Sequence, residues 1–325
     1  MGRCKGNIID EQSAIYNPGA LGIFHLDKVF FISAPAESEF APNREIDQQI
    51  STFSIGGGIS YKKIKPSQRN GKLNLSISLA YSEIKLDWNK WYVVSIPSGE
   101  TFSGTEFLKY KMYSVNLGID YYLKAGIGWS YKKVSDVAMG VRSRDEVYDY
   151  GWMIEFPITD LLRDNSYSNE GISFDLTPSL SYIRINDGGV IPDSIWPDPP
   201  PLKSSRAFSY SIAVAIELNH TQLISLKAIL EGRRRGFEIG AGRFFYFRWG
   251  FIDMIDSPMY QKTSGYGIYL GGLLKWLKHF GICPKDATQK YLFEHLDFSY
   301  EYARFHDDGD WLRGNMKIIR FNLSF

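Results

Sequence analysis

The chain has 325 residues, of which 37 are Lys or Arg and 36 Asp or Glu, and it carries 15% aromatics and 30 glycines. A net charge of +1 creates no field that would draw in nucleic acid or an acidic substrate, so no nucleic-acid partner is expected. No apolar run reaches the roughly 18 residues of a membrane-crossing helix, which leaves a soluble aromatic-rich β protein or a barrel that crosses with strands.

Met1 to Asn7 lacks the apolar core of a signal peptide, so an exported protein would be seen here in a mature or re-engineered form. Cys4 and Cys283 read as two separate thiols, with a disulfide left open, and no metal-ligand spacing exists; neither a metal nor a cofactor is expected. Ile8 to Phe24 does not alternate. Asn17-Pro18-Gly19 reads as a tight turn, followed by the apolar turn Ala20-Leu21-Gly22-Ile23-Phe24. The segment is expected either to plug a barrel or to pack as an arm under its mouth, giving a division into 1–25 (plug or periplasmic segment) and 26–325 (barrel).

From there the dominant signal is period two. Leu73, Leu75, Ile77, Leu79 and Tyr81 alternate with Asn74, Ser76, Ser78, Ala80 and Ser82; Tyr113 to Tyr121 and Phe208 to Leu218 repeat the pattern. In a barrel wall alternate side chains face hydrocarbon and lumen, so this is the expected signature of a spanning strand. The template predicts strands near 26–34, 52–62, 72–86, 111–122, 123–133, 147–158 and 171–185. It continues near 205–218, 222–231, 235–242, 244–253, 264–277, 293–304 and 315–325, an all-β, antiparallel transmembrane barrel of about fourteen strands with a short N-terminal plug.

With the first strand running outward, the short links Asn70-Gly71, Tyr122-Leu123, Asn219-His220-Thr221 and Gly242-Arg243 fall on the periplasmic side, and the long links 87–110 and 186–204 fall outside. Two links break that pattern, 159–170 and 278–292, and Leu273 to Phe280 has the character of a helical turn. Inward positions such as Gly56, Gly58, Ser76, Ser78, Gly118, Ser179, Ser181, Ser209 and Ser211 are small, which widens a bore already too wide for side chains to fill.

The outer links carry aromatic and stiff residues. Trp88, Trp91 and Tyr92 in the first and Trp196 and Pro199 in Ile195 to Pro201 are candidates for docking a protein partner at the cell surface; the Pro-rich run would serve equally as a rigid lid. Arg233-Arg234-Arg235 is a solvated charge run or a grip on lipopolysaccharide phosphates. His295 and Asp297, with His306 and Asp307 beyond them, are read as interior and loop polar groups, so no catalytic residues are assigned. In the last strand Ile319, Phe321, Leu323 and Phe325 alternate with Arg320, Asn322 and Ser324, a pattern that barrel-insertion machinery reads as an outer-membrane signal.

Ser13-Ala14-Ile15-Tyr16-Asn17-Pro18-Gly19-Ala20-Leu21 resembles the N-terminal Asn-Pro-Ala box of the FadL-like superfamily, which includes long-chain fatty acid transporters and the PorV/PorQ family; Gly19 stands where alanine is usual. Gly236-Phe237-Glu238-Ile239 to Arg248-Trp249-Gly250-Phe251 resembles the paired short strands of that superfamily, and Ser264-Gly265-Tyr266-Gly267-Ile268 its next strand. The resemblance implies a fourteen-strand barrel of the bacterial outer membrane whose N-terminal segment enters the lumen. The chain is shorter than a typical fatty acid transporter, its N-terminal segment is shorter than a hatch of roughly forty residues, and its proportions are closer to the PorV/PorQ barrels. That implies a non-enzymatic scaffold or shuttle for an exported or surface protein, as in type IX secretion. The alternative is a passive transporter of hydrophobic small molecules, with Tyr16, Asn17, Pro18, Leu21, Ile23 and Phe24 forming the plug or lining a ligand pocket beside it.

Overall fold

In the computed structural model the described residues are 17–41, 48–63, 73–95, 101–138, 141–159, 171–187, 204–218, 221–232, 234–253, 260–279, 295–307 and 313–323. Fourteen antiparallel strands close on themselves, each paired with its neighbours in sequence and the last with the first. They are β1 (Phe30–Ala41), β2 (Gln48–Lys63), β3 (Leu73–Ser95), β4 (Thr101–Asp120), β5 (Lys124–Ala138), β6 (Val141–Glu155) and β7 (Ile172–Asp187). The circuit continues with β8 (Ser205–Leu218), β9 (Thr221–Glu231), β10 (Arg234–Ala241), β11 (Phe245–Asp253), β12 (Tyr260–Tyr269), β13 (Leu296–Asp307) and β14 (Arg313–Leu323). Closure runs from Phe30↔Leu323 to Ala41↔Arg313, so each of the described strands has a neighbour on both sides.

The alternation comes out as anticipated, with the apolar side chains outward. Ile77 and Leu79 are 47% and 62% exposed, whereas Ser76 and Ser78, which alternate with them, are 5% and 2%. A water-soluble β protein would show the reverse, so the outer face is built for hydrocarbon. Tyr81, Tyr113, Tyr131 and Tyr148 occupy matched register positions on β3 to β6, with successive ring centroids 5.3, 6.4 and 5.7 Å apart. They form one arc of an aromatic girdle. At the other end Tyr121 and Tyr122 pack edge to face at 4.2 Å. The strand between Tyr113 and Tyr121 covers roughly 27 Å, enough when tilted to cross most of an apolar band about 25 Å tall.

Three expected boundaries are corrected. The first strand starts at Phe30 rather than 26, because 26–29 is the turn leaving a short helix, α1 (Pro18–Phe24). The link 87–110 is mostly strand: after a register shift between Asp87 and Trp91, β3 and β4 pair again from Trp91↔Thr105 to Ser95↔Thr101. Trp88, Trp91 and Tyr92 therefore lie on β3 and not in a loop. This stretch is rich in Trp, Tyr, Val, Phe and Thr, which favour strands, but it lacks strict alternation because beyond the hydrocarbon nothing forces inner and outer faces to differ. Finally, the strand expected over 264–277 ends at Tyr269 and gives way to α2 (Leu270–His279). The ladder stops at Tyr269↔Ser299, Gly271 N donates to Asp297 Oδ1 (3.0 Å), and Trp276 packs on Phe244 at 5.6 Å, so a helical face meets the β10–β11 turn.

The end of the barrel nearest α1 carries the turns 121–123 and 242–244 and also α2, where the connection from β12 to β13 begins; the expected links 70–71 and 219–220 lie outside the described residues. Trp196, Pro199, Arg233, Cys4, Cys283, Phe325 and the segment from Ile8 to Tyr16 lie outside the described residues.

Candidate functional site

Asn17 and α1 sit inside the barrel, packed against β3 to β6, with every residue from Asn17 to Leu26 buried. The local sequence dictates the helix. Asn17 is extended, its Oδ1 accepts from Gly19 N at 3.0 Å as an N-cap, and Pro18 at the first helical position has no N–H to leave unpaired.

The barrel wall satisfies the groups that a helix this short leaves open. Ser76 Oγ donates to Gly22 O (2.9 Å), and Asn74 Nδ2 donates to Leu26 O (2.9 Å). The Asn116 amide, in the orientation that suits its surroundings, donates to Pro18 O at 2.6 Å. Apolar contacts fill the remainder: Leu21 and Phe24 with Phe31 and Ala80, and Ala20, Ile23 and Leu26 with Met153.

The seat itself is a patch of inward glycines. A Cβ on Gly118 would overlap the carbonyl of Gly22, one on Gly126 that of Gly19, and one on Gly128 that of Pro18, while one on Gly151 would strike the Asn17 amide. The helix backbone thus rests almost directly on strand backbone. Gly19 is held to the same limit, because a side chain there would collide with the backbone of Gly151 and Trp152. A β-carbon at position 19 therefore has no room in this seat.

The expected plug residues Asn17, Pro18, Leu21, Ile23 and Phe24 are therefore brought together. In this arrangement they anchor α1 to the wall rather than line an empty pocket. Sequence reasoning noted Gly118 only as a small lumen residue and missed Gly126, Gly128 and Gly151. Their signal was present, since Gly126 and Gly128 occupy successive inward positions of one strand where serine would have sufficed for bore width.

His25 follows the helix and is 1% exposed between Phe24 and Phe31, at ring-centroid distances of 5.3 and 5.7 Å. Its Nδ1 bonds to Lys28 O at 2.6 Å, and its Nε2 meets no partner among the described residues. Burial pushes its pKa down to about 4 from the usual 6.5, with the Lys28 bond opposing in part. The seated helix therefore holds His25 neutral, and seating is fully supported above pH 6.5. As pH falls from 6.5 toward 4 the released state gains a proton that the seated state refuses, at a cost of about 3 kcal/mol. The opening free energy of 18–26, read from hydrogen exchange corrected for intrinsic rates, should fall over that window in the native protein and stay flat in His25→Asn; equal pH profiles would show that His25 does not report seating.

Across the lumen the wall is ionic. Glu301 accepts from Arg248 Nη1 (2.6 Å), from Arg320 Nη2 (2.7 Å) and from the Tyr269 hydroxyl, and Arg248 also pairs with Glu238. Lys132–Asp149 and Arg243–Glu217, both at 2.6 Å, extend the charge pairing around the barrel. Among the hydroxyls, Ser114–Ser130 and Ser179–Ser211 bond across strands at 2.7 and 2.6 Å. The lumen is not uniformly polar, because Met112, Val134, Val147 and Ile183 are also buried.

Asp297, noted with His295, accepts from the start of α2 and lies 3.9 Å from Lys28 Nζ, while His295 just precedes β13. In β14, Ile319 is outward and Arg320 and Asn322 inward, matching the alternation expected of the terminal signal.

These features define a closed, fourteen-strand transmembrane β-barrel with a helix seated in its lumen. Among solved structures the chain is similar to a TodX deltaS2S3 mutant monoaromatic hydrocarbon channel at 9% identity and TM-score 0.45, covering 98% of this chain and 96% of that one. The Pseudomonas putida toluene transporter TodX aligns at 9% identity and TM-score 0.42 over 100% of this chain and 96% of that one. The β domain of the Bordetella autotransporter BrkA gives 10% identity and TM-score 0.42 over 92% and 100%. No protein-family profile and no curated protein matches the chain in sequence.

Proposed function

We propose that the protein is a non-enzymatic channel of the bacterial outer membrane that passes small apolar molecules, with α1 as its gate. The observation that carries this reading is where the apolar surface of the lumen lies. Leu21, Phe24, Phe31 and Ala80, and Ile23, Leu26 and Met153, meet at the interface between α1 and the wall. Movement of α1 would uncover an apolar path through a barrel whose wall elsewhere mixes hydroxyls and ion pairs with a few apolar residues such as Met112 and Ile183, and an apolar ligand would compensate for the contacts the helix gives up. In this orientation the α1 end, where β1 enters and β14 leaves, faces the periplasm, the β14 pattern is what insertion machinery reads, and lipopolysaccharide surrounds the opposite end.

The test is extraction in mild detergent with mass spectrometry of what remains bound, alongside liposome-swelling assays. A retained apolar small molecule together with slow swelling in sugars is the expected result. Fast, unselective sugar entry would overturn the reading in favour of an open porin.

A second reading, a PorV-like scaffold for an exported or surface protein, is favoured by one feature. β3 and β4 pair beyond the last partners of both neighbours, which are Gln49↔Asp87 on β2 and Phe107↔Val137 on β5. This projecting hairpin carries Trp88, Trp91 and Tyr92, and a stoichiometric protein partner without a bound small molecule would support it.

A further inference from the structure

The outside of a barrel is convex, yet a concavity of about 770 Å³ opens on its lipid-facing surface across β2 to β6. Its lining is apolar, from outward side chains that include Ile59, Leu75, Ile77, Leu117, Ile127 and Ile154. Its floor includes the backbone at Gly118 and Gly126, the two glycines whose inner faces meet the carbonyls of Gly22 and Gly19. The dent and the helix seat are thus two sides of one sheet: β4 and β5 approach α1 because no Cβ intervenes, and the outer surface follows them inward.

We infer that this dent is a binding site for one acyl chain of a membrane phospholipid. The surrounding medium is hydrocarbon, because the dent lies in the band between the Tyr81–Tyr113–Tyr131–Tyr148 girdle and the Tyr121–Tyr122 pair. Lipid tails gain no hydrophobic free energy by leaving bulk lipid, so residence there depends on van der Waals contact, which a concave apolar wall multiplies over a convex one. Its volume falls within the roughly 300–1,000 Å³ of small-molecule sites. The exposed hydroxyls of Tyr121 and Tyr122, on the turn just beyond the dent, stand where the ester and phosphate groups of such a lipid would meet the interface. The choice of phospholipid rests on the orientation proposed above, which places the dent in the periplasmic leaflet; the site itself does not.

The experiment is native mass spectrometry of the barrel taken from membranes into mild detergent, comparing the unmodified protein with Leu117→Trp, which fills the dent, and Ile212→Trp, on the outer face of β8. Heat-dependent gel migration confirms that each barrel is closed, and Ile127→Trp replaces Leu117→Trp if that barrel does not assemble. The expected result is one retained phospholipid on the unmodified protein and on Ile212→Trp, with the retained fraction falling about tenfold in Leu117→Trp. Equal retention by all three, no phospholipid on the unmodified barrel, or lipid A or a free fatty acid in its place would overturn the inference.

Discussion

Gly118→Val is expected to unseat α1 while leaving the barrel closed. Valine suits a strand interior, and the β3–β4–β5 ladder at this position needs no particular side chain. Inside, the new Cβ would occupy the space of the Gly22 carbonyl and press on Ser76 Oγ, which donates to that same carbonyl. Overpacking of this kind costs about 1–3 kcal/mol, and the upper end applies because the nearest obstacle is the backbone carbonyl of Gly22, which cannot change rotamer. Loss of the Ser76 hydrogen bond adds to it. A cost of about 3 kcal/mol raises the unseated population roughly a hundredfold. Hydrogen exchange over 18–26 should therefore accelerate by about that factor, with single-channel openings more frequent to match. Unchanged exchange over α1 with a closed barrel would mean that the glycine seat does not hold the helix.

The wall of this protein was legible in its sequence because hydrocarbon and lumen impose opposite demands on successive residues. Leu75, Ile77 and Leu79 against Ser76 and Ser78 leave one reading, and all fourteen strands were anticipated in order. The errors lie where that demand lapses. Trp91 to Ser95 pair as strand beyond the membrane band, where alternation is not enforced, and Leu270 to His279 follow a helical period immediately after an ordinary strand. The plug was half legible: Asn17-Pro18 announced a capped turn, but nothing local to it says that its neighbours are Gly118, Gly126 and Gly128. Those contacts join residues about a hundred positions apart, and only the closed ring brings them together. The ionic wall was invisible for the same reason. Glu301, Arg320 and Arg248 lie on three strands, and inward parity marks each as polar without saying which will meet.

That wall carries the other large effect, an expected loss of about 3–5 kcal/mol in barrel stability for Glu301→Gln. Glu301 is the carboxylate shared by two guanidiniums, and its own side chain and that of Arg320 are 5% and 0% exposed. The substituted amide would keep the shape but not the charge, so Arg320 and Arg248 would lose the carboxylate they share in a poorly solvated interior. Glu238→Gln should cost much less. Its carboxylate is 24% exposed, and the Arg248 it serves would keep Glu301. The double variant Glu301→Gln/Arg320→Met should recover most of the loss, because removing both members of a buried pair costs less than removing one and Arg248 would retain Glu238. Urea midpoints of barrels folded in lipid vesicles would separate these cases, with m unchanged if the same surface unfolds. Equal midpoints for Glu301→Gln and Glu238→Gln would mean that water reaches Glu301 in the folded barrel, and the lumen on that side would then be open rather than closed by its own ion pairs.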